Sequence, residues 1–236
     1  MMERFAVSNL LIVESDSDRW FIELLIKHMN VTIEVSKPVC SVDDFECLEG
    51  LSEKQLTRKL YSERLDKYDK IGILVDANSA GIEARVELVR RAMLAVEGTT
   101  TKDEKPIQTA PETNNKLVHC LNCDVKFAIG IIHVNGKGEL ETLLREIKTQ
   151  DSIYADCLEA WRNCVEKENK ENKKIKQKDF DKLWLNNYFR YDTCKNSERG
   201  QAEKRCSKEA AFKKPGIWNL DHPALDDLKT FLRLFQ

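Results

Sequence analysis

The chain has no apolar run approaching the roughly 20 residues that span a bilayer. Its first residues, MMERFAVSN, hold neither the apolar segment nor the small-residue cleavage site of a secretory signal. These absences argue against a membrane or exported protein and make cytoplasmic residence the expectation. Metal-ligand spacings are almost missing too. One CxxC pair occurs, Cys120 and Cys123 beside His119, with no second CxxC or HxxxH to complete four zinc ligands. The cysteines are otherwise scattered, which predicts reduced thiols rather than a disulfide scaffold. A zinc site on Cys120 and Cys123, with Cys157 and Cys164 downstream, stays a minor alternative. A strong charge of one sign is also lacking, since the formal net charge is -2 over 236 residues. The whole chain is therefore not a basic nucleic-acid binder by composition.

What is present is a core and a charge asymmetry. Hydrophobic residues make up 42% of the chain, enough for one large domain or two small ones. Residues 160–215 hold 16 Lys+Arg against 9 Asp+Glu, whereas residues 1–159 hold 20 against 28. An acidic front with a basic back suits a protein that holds a cation in one part and meets a polyanion with another. A solvated helix face gives the same count.

Apolar runs alternate with helix-period segments. Residues 5–13, FAVSNLLIV, predict a first strand, and Ser15, Asp16 or Ser17 can cap the helix that places Phe21, Leu24, Leu25, His28 and Met29 at helical spacing. A short second strand starts at Val31. Ser52 opens a polar helix to about Asp66. Ile71 to Val75 form a buried third strand ending at Asp76, after which Asn78 or Ser79 begins a helix. Residues 98–116, nearly devoid of apolar side chains, predict an exposed loop with a lid or contact role. The fourth strand is Lys126 to Val134, and it leads into NGKGELETLLREI. The pattern predicts an α/β fold, a mostly parallel sheet of about four strands with helices on both faces. Residues 1–150 form that domain. Residues 151–236 form a helical C-terminal extension, with Leu225, Leu228, Phe231, Leu232 and Phe235 on a last helix that docks back.

Three strand ends carry acids: Glu14 with Asp16 and Asp18, then Asp76, then Glu139 with Glu141. In a parallel sheet these ends share one edge, so acids far apart in sequence can converge on a hard cation such as Mg²⁺. Helix capping and the helix dipole explain Asp16, Asp18, Glu139 and Glu141 equally well. Glu14 and Asp76 follow buried strands directly, where a charge without a partner is costly, and they are the stronger candidates.

LLIVESDSDRWFI resembles the first motif of the Toprim fold, a hydrophobic strand followed by E-G-x-x-D, and IGILVDAN resembles its second, a strand followed by D-x-D. The order LIVESDSD, GILVDAN with Arg85 downstream, GIIHVNGKGELETLL and HPALDDLKTFLRLF is similar to a family of uncharacterised bacterial Toprim-like proteins. The resemblance implies a Rossmann-like Toprim domain, related to those of primases and overcoming-lysogenization-defect nucleases. In it Glu14 is general acid/base or metal ligand, Asp18 the motif's second acid and Asp76 the principal ligand of Mg²⁺, with Mn²⁺ as substitute. Asn78 stands at the second aspartate of D-x-D, and Ser15 replaces the motif glycine. Asn78 offers an oxygen without charge, and Glu141 is placed to compensate.

Two functions follow. One is a Mg²⁺-dependent nuclease on DNA or RNA, with Glu14 and Asp76 catalytic and Glu14, Asp18, Asp76, Asn78 and Glu141 around the metal. The basic segment Lys167 to Lys214 would guide nucleic acid, and Trp184, Tyr188, Phe189 and Tyr191 either stack bases or form helical core. The other is an inactive Toprim-like module acting through a protein partner or as a homo-oligomer.

Overall fold

The computed structural model describes residues 9–40, 50–63, 65–96, 107–121, 124–168, 174–199 and 208–236. A five-stranded sheet lies at its centre, in the order β2-β1-β3-β5-β4. Its strands are β1 (Asn9–Val13), β2 (Glu34–Val35), β3 (Lys70–Asp76), β4 (Val118–His119) and β5 (Lys126–Ile132). β1, β2, β3 and β5 run parallel, and β4 is antiparallel to β5 at the edge. The expectation of about four strands missed β4, whose two residues, within KLVHCL, are too few to give a periodic signal.

Alternation along the strands divides the interior into two layers, because successive side chains point to opposite faces. Leu10, Ile12, Ile71, Ile73, Val75, Phe127, Ile129 and Ile131 face a cluster closed by α2 (Glu53–Ser62) and α3 (Ile82–Leu94). Leu11, Val13, Leu74, Ala128 and Ile132 face the other, closed by α1 (Asp16–Met29), α4 (Leu140–Ile147) and the C-terminal helices. Side chains of the sheet, α1 and α4, from Leu11 to Ile147, and side chains of the C-terminal region, from Ala155 to Phe235, thus meet in this second cluster. The C-terminal part consists of α5 (Ile153–Glu168), α6 (Gln177–Asn187), a π-helical turn (Tyr188–Asp192), α7 (Asn196–Arg199), α8 (Lys208–Phe212) and α9 (Asp226–Arg233).

The last helix seats on glycine. A Cβ at Gly130 would stand 2.7 Å from Phe231, and one at Gly72 2.7 Å from Phe235. Leu225, Leu228, Phe231, Leu232 and Phe235 are all buried. Only a residue without a side chain lets these rings lie on the strands.

Helix starts differ in detail from the sequence reading. Ser15 is the cap of α1, accepting from the Asp18 N–H while the Asp18 carboxylate accepts from the Ser15 N–H. Ser52 and Gln55 cap α2 in the same way. The helix after Asp76 begins at Ile82 rather than at Asn78 or Ser79, with Gly81 (φ 87°) as its cap. Asn78 is instead left-handed (φ 52°) and is held in a bridge to Gly138. The exposed-loop reading of 98–116 fails at Ile107 and Ala110, which are buried in the α2–α3 layer, and residues 97–106 lie outside the described ones. Trp184, Tyr188 and Phe189 are interior and stack on each other, on Trp218 and on Phe212, so they cannot receive nucleic-acid bases; Tyr191 is exposed.

Candidate functional site

The strand order reverses direction between β1 and β3: the chain steps from β1 outward to β2, then returns to β3 on the other side of β1. A crevice opens outside the carboxyl ends of two strands at such a switch point. Glu14 follows β1 and Asp76 ends β3, so the two candidates named first stand on either side of that crevice.

Arg85 joins them. Its guanidinium donates from Nη2 to Glu14 Oε2 at 2.9 Å and from Nε to the Asp76 carbonyl at 2.8 Å. The Asp76 N–H also donates to Glu14 Oε2, at 3.2 Å. Arg85 reaches the floor because α3 brings its fourth residue, one turn past Gly81, back under the end of β3. The Asp76 side chain turns the other way. Its Oδ1 accepts from the Leu140 N–H at 3.1 Å, so Asp76 occupies the start of α4, where free amides favour an anion.

Further acids crowd this pair. Asp18 is only 2% exposed; its Oδ2 accepts from the Ser15 N–H and hydroxyl, both at 2.8 Å, while its Oδ1 is buried without a partner. Burial and the neighbouring Glu14 charge push the Asp18 carboxyl up to about 8. Burial, then the charges of Asp18, Glu14 and Glu141, raises Asp76 well above the usual range. Glu14 is raised as well, because loss of water outweighs the Arg85 charge. Glu141 is raised by burial, which outweighs the opposing pull of Lys182. The carboxylates therefore converge strongly enough to repel one another, and Arg85 answers that repulsion at Glu14 alone.

A second charge layer stands above. The crevice, about 990 Å³, is walled by Lys176, Lys178 and Lys182 of the α6 start, by Lys208 of α8 and by Lys137 of the β5–α4 loop. Lys182 Nζ is 3.5 Å from Glu139 Oε2. Asn78, also in this wall, fastens the two loops together: its N–H donates to Gly138 O at 2.8 Å, and its carbonyl accepts from Gly138 N–H at 3.0 Å. Asparagine tolerates the left-handed backbone that this pairing needs, which gives the residue a structural role independent of any ligand.

The structure thus gathers Glu14, Asp76, Asn78 and Glu141 around one crevice, with Asp18 buried behind Glu14 and Asp76. Among the described residues no three His, Cys, Asp or Glu side chains are placed to hold a metal ion as they stand. Glu14 is committed to Arg85 and Asp76 to the α4 amide. Arg85, noted in the sequence only as lying downstream of GILVDAN, and the individual lysines Lys176, Lys178 and Lys182, read only as part of the basic segment Lys167 to Lys214, are the participants to which the structure gives a place. The signal for Arg85 was a buried helix position bearing a charge, four residues after a positive-φ glycine; the wall had only its net basic count.

The cysteines depart from expectation. Cys40, Cys120 and Cys194 are disulfide-bonded, whereas Cys157 and Cys164 are free and exposed. Scatter along the sequence says nothing about which sulfurs meet once the chain turns. Cys120 is buried and bonded, and His119 Nδ1 lies 2.8 Å from the Cys120 carbonyl, so the thiolate that a zinc site needs is not available there. Cys123 lies outside the described residues.

Fold and crevice together define an open α/β protein, mostly parallel, with an acidic floor at its switch point and a helical C-terminal region. The chain belongs to one family: the model described as "Protein of unknown function (DUF3226)" matches residues 8–236. No curated protein and no solved structure matches it.

Proposed function

We propose that this is a Toprim-like protein that acts on phosphodiesters of DNA or RNA with the help of a divalent cation. The observation that carries the reading is the juxtaposition of an acidic floor, Glu14, Asp76, Glu139 and Glu141 with Asp18 buried behind it, with a lysine wall over one crevice. The donor chemistry suits a hard cation, although among the described residues no three of these acids close on one point as they stand. All the donors are oxygen, the carboxyl pKa values are raised by burial first and by neighbouring acids second, and Asp18 Oδ1 is buried with no partner. Glu14, Asp18, Asp76 and Glu141 would hold Mg²⁺ or Mn²⁺, with the Asn78 oxygen in reserve. Bound there, the cation would stabilise charge on a phosphate and lower the pKa of a water.

The chain's own groups do the rest. Arg85 fixes the Glu14 carboxylate against the end of β3. The Leu140 amide orients Asp76. Lysines above the floor attract and hold the phosphate backbone. Cytoplasmic residence belongs to the same reading; among the described residues no helix is long and apolar enough to cross a membrane.

One observation favours a second reading, a catalytically silent Toprim-like module working through a partner or a second copy. The Arg85–Glu14 pair supplies an internal cation, 2.9 Å away and buried, where a metal would otherwise be needed. Incubation with single-stranded DNA, duplex DNA and RNA in Mg²⁺ or Mn²⁺, beside Asp76→Ala, separates the two. Cleavage abolished by the substitution supports the enzyme. Cleavage that survives unchanged removes Asp76 from the mechanism, and neither cleavage nor calorimetric metal binding leaves the silent module.

A further inference from the structure

Five lysines surround the crevice; Lys182 and Lys208 offset the charge of Glu141, but the group as a whole exceeds what direct pairing with the described acids uses. Among the described residues, Lys137, Lys176, Lys178 and Lys208 make no ion pair, and Lys182 is about half exposed with its acid at 3.5 Å. Elsewhere neighbouring cations find partners: Lys213 with Glu209 and Lys214 with Glu198. Lys176 is the cap residue of α6, and Lys178 lies in its first turn. A positive charge at that end opposes the helix dipole, costing about 0.3–1 kcal/mol at an exposed site unless an anion is present. Apart from Lys182, paired with Glu139, the wall is therefore a set of cations without a direct ion-pair partner among the described residues, two of them placed at a helix start against local preference.

The cavity also limits what can enter. Its floor acids Glu14, Asp76, Glu139 and Glu141 are only 6–9% exposed, so a phosphate must descend past the lysines to reach them. At about 990 Å³ the space lies at the upper end of the roughly 300–1,000 Å³ of small-ligand sites. A duplex presents its phosphates on a thick rod and would rest on the rim. A single flexible strand, or a nucleotide, has phosphates on a thread thin enough to enter.

We propose that Lys176, Lys178, Lys182 and Lys208, with Lys137 opposite, form a phosphate-binding wall whose ligand is a thin polyphosphate chain: the end of a single nucleic-acid strand or a nucleoside polyphosphate. The assignment deepens the phosphodiester reading, but binding at the wall needs no cation on the floor. The two therefore fail separately.

The test uses the full chain in EDTA and a fluorescent short oligo-dT strand, followed by anisotropy across a salt series. A hairpin duplex, ATP and inorganic triphosphate serve as competitors. The triple variant Lys176→Gln, Lys178→Gln, Lys208→Gln is expected to weaken strand binding at least tenfold. It should also flatten the log-log salt dependence by about 2, at ~0.7 per lost phosphate contact. Arg90→Gln, on α3 and away from the crevice, controls for net charge and should change neither. Competition by ATP well below the concentration at which inorganic triphosphate competes identifies a nucleotide site; competition by neither assigns the strand. Unchanged affinity in the triple variant, duplex binding as tight as single strand, or no binding of any probe would overturn the proposal. Lysine-dependent binding without cleavage in Mg²⁺ keeps the wall and removes the nuclease; cleavage indifferent to the lysines does the reverse.

Discussion

Two aspartates in this protein are almost equally inaccessible, Asp181 at 1% and Asp18 at 2%, yet they are treated in opposite ways. Asp181 receives Arg145 Nη1 at 2.5 Å, the Thr142 hydroxyl at 2.8 Å and Gln177 Nε2 at 2.9 Å, so both oxygens are used and a cation sits beside them. Arg145 is itself braced over the rings of Phe180 and Trp184. Asp18 has Ser15 on one oxygen, nothing on the other, and acids as neighbours. The first arrangement ties α4 to α6. The second keeps an acid under repulsion, buried behind Glu14 and Asp76, which stability alone does not reward.

Breaking the satisfied member should cost most. Asp181→Ala leaves the half-buried Arg145 with only Glu159, and thermal or urea unfolding should show a loss of ~2–3 kcal/mol. Asp18→Asn should act in the opposite direction and depend on pH. The Asp18 carboxyl rises from 3.8 to about 8 on folding, so between those values the folded chain binds the extra proton. Stability is therefore greatest at the acid end of the window and declines as pH climbs toward 8; Glu14, Asp76 and Glu141 add to the decline with the same sign. Removing the ionisable group should raise stability at pH 8 by on the order of 2 kcal/mol while changing it little near pH 4. A wild-type curve that climbs between those values would refute the poised-acid account.

A smaller effect tests the apolar counterpart of this contrast. Gly130→Ala places a methyl group against the Phe231 ring, with a cost of about 1–3 kcal/mol, measurable by denaturation. Combining it with Phe231→Leu should recover part of the loss. Smallest of all, Lys213→Gln breaks an exposed i,i+4 pair with Glu209 and should alter stability by less than about 0.5 kcal/mol.

The comparison also shows why the site was only partly legible. Glu14 and Asp76 could be singled out because a charge directly after a buried strand is expensive and the sequence prints both the strand and the charge. Asp18 was ambiguous, and the structure shows why: it completes the capping box of α1 and also stands within the acid cluster, so one residue type answers both demands. Asp181 and Arg145 gave no warning. Their pairing crosses 36 residues between two helices whose relative placement no local pattern encodes. The aromatic group Trp184, Tyr188 and Phe189 was open between stacking platform and core until packing against Trp218 and Phe212 decided for the core.

By itself the sequence determined the alternation of strands and helices, the two-faced burial of β1, β3 and β5, and the placing of acids at strand ends, because periodicity, caps and strand-end charges are local. Tertiary structure alone decided three things: that β1 and β3 flank the switch point, that Arg85 rather than a free carboxylate faces Glu14, and that lysines of the C-terminal helices overhang the floor. Each depends on the distance between elements far apart in the chain, and such distances are set by how the two apolar faces of the sheet are covered.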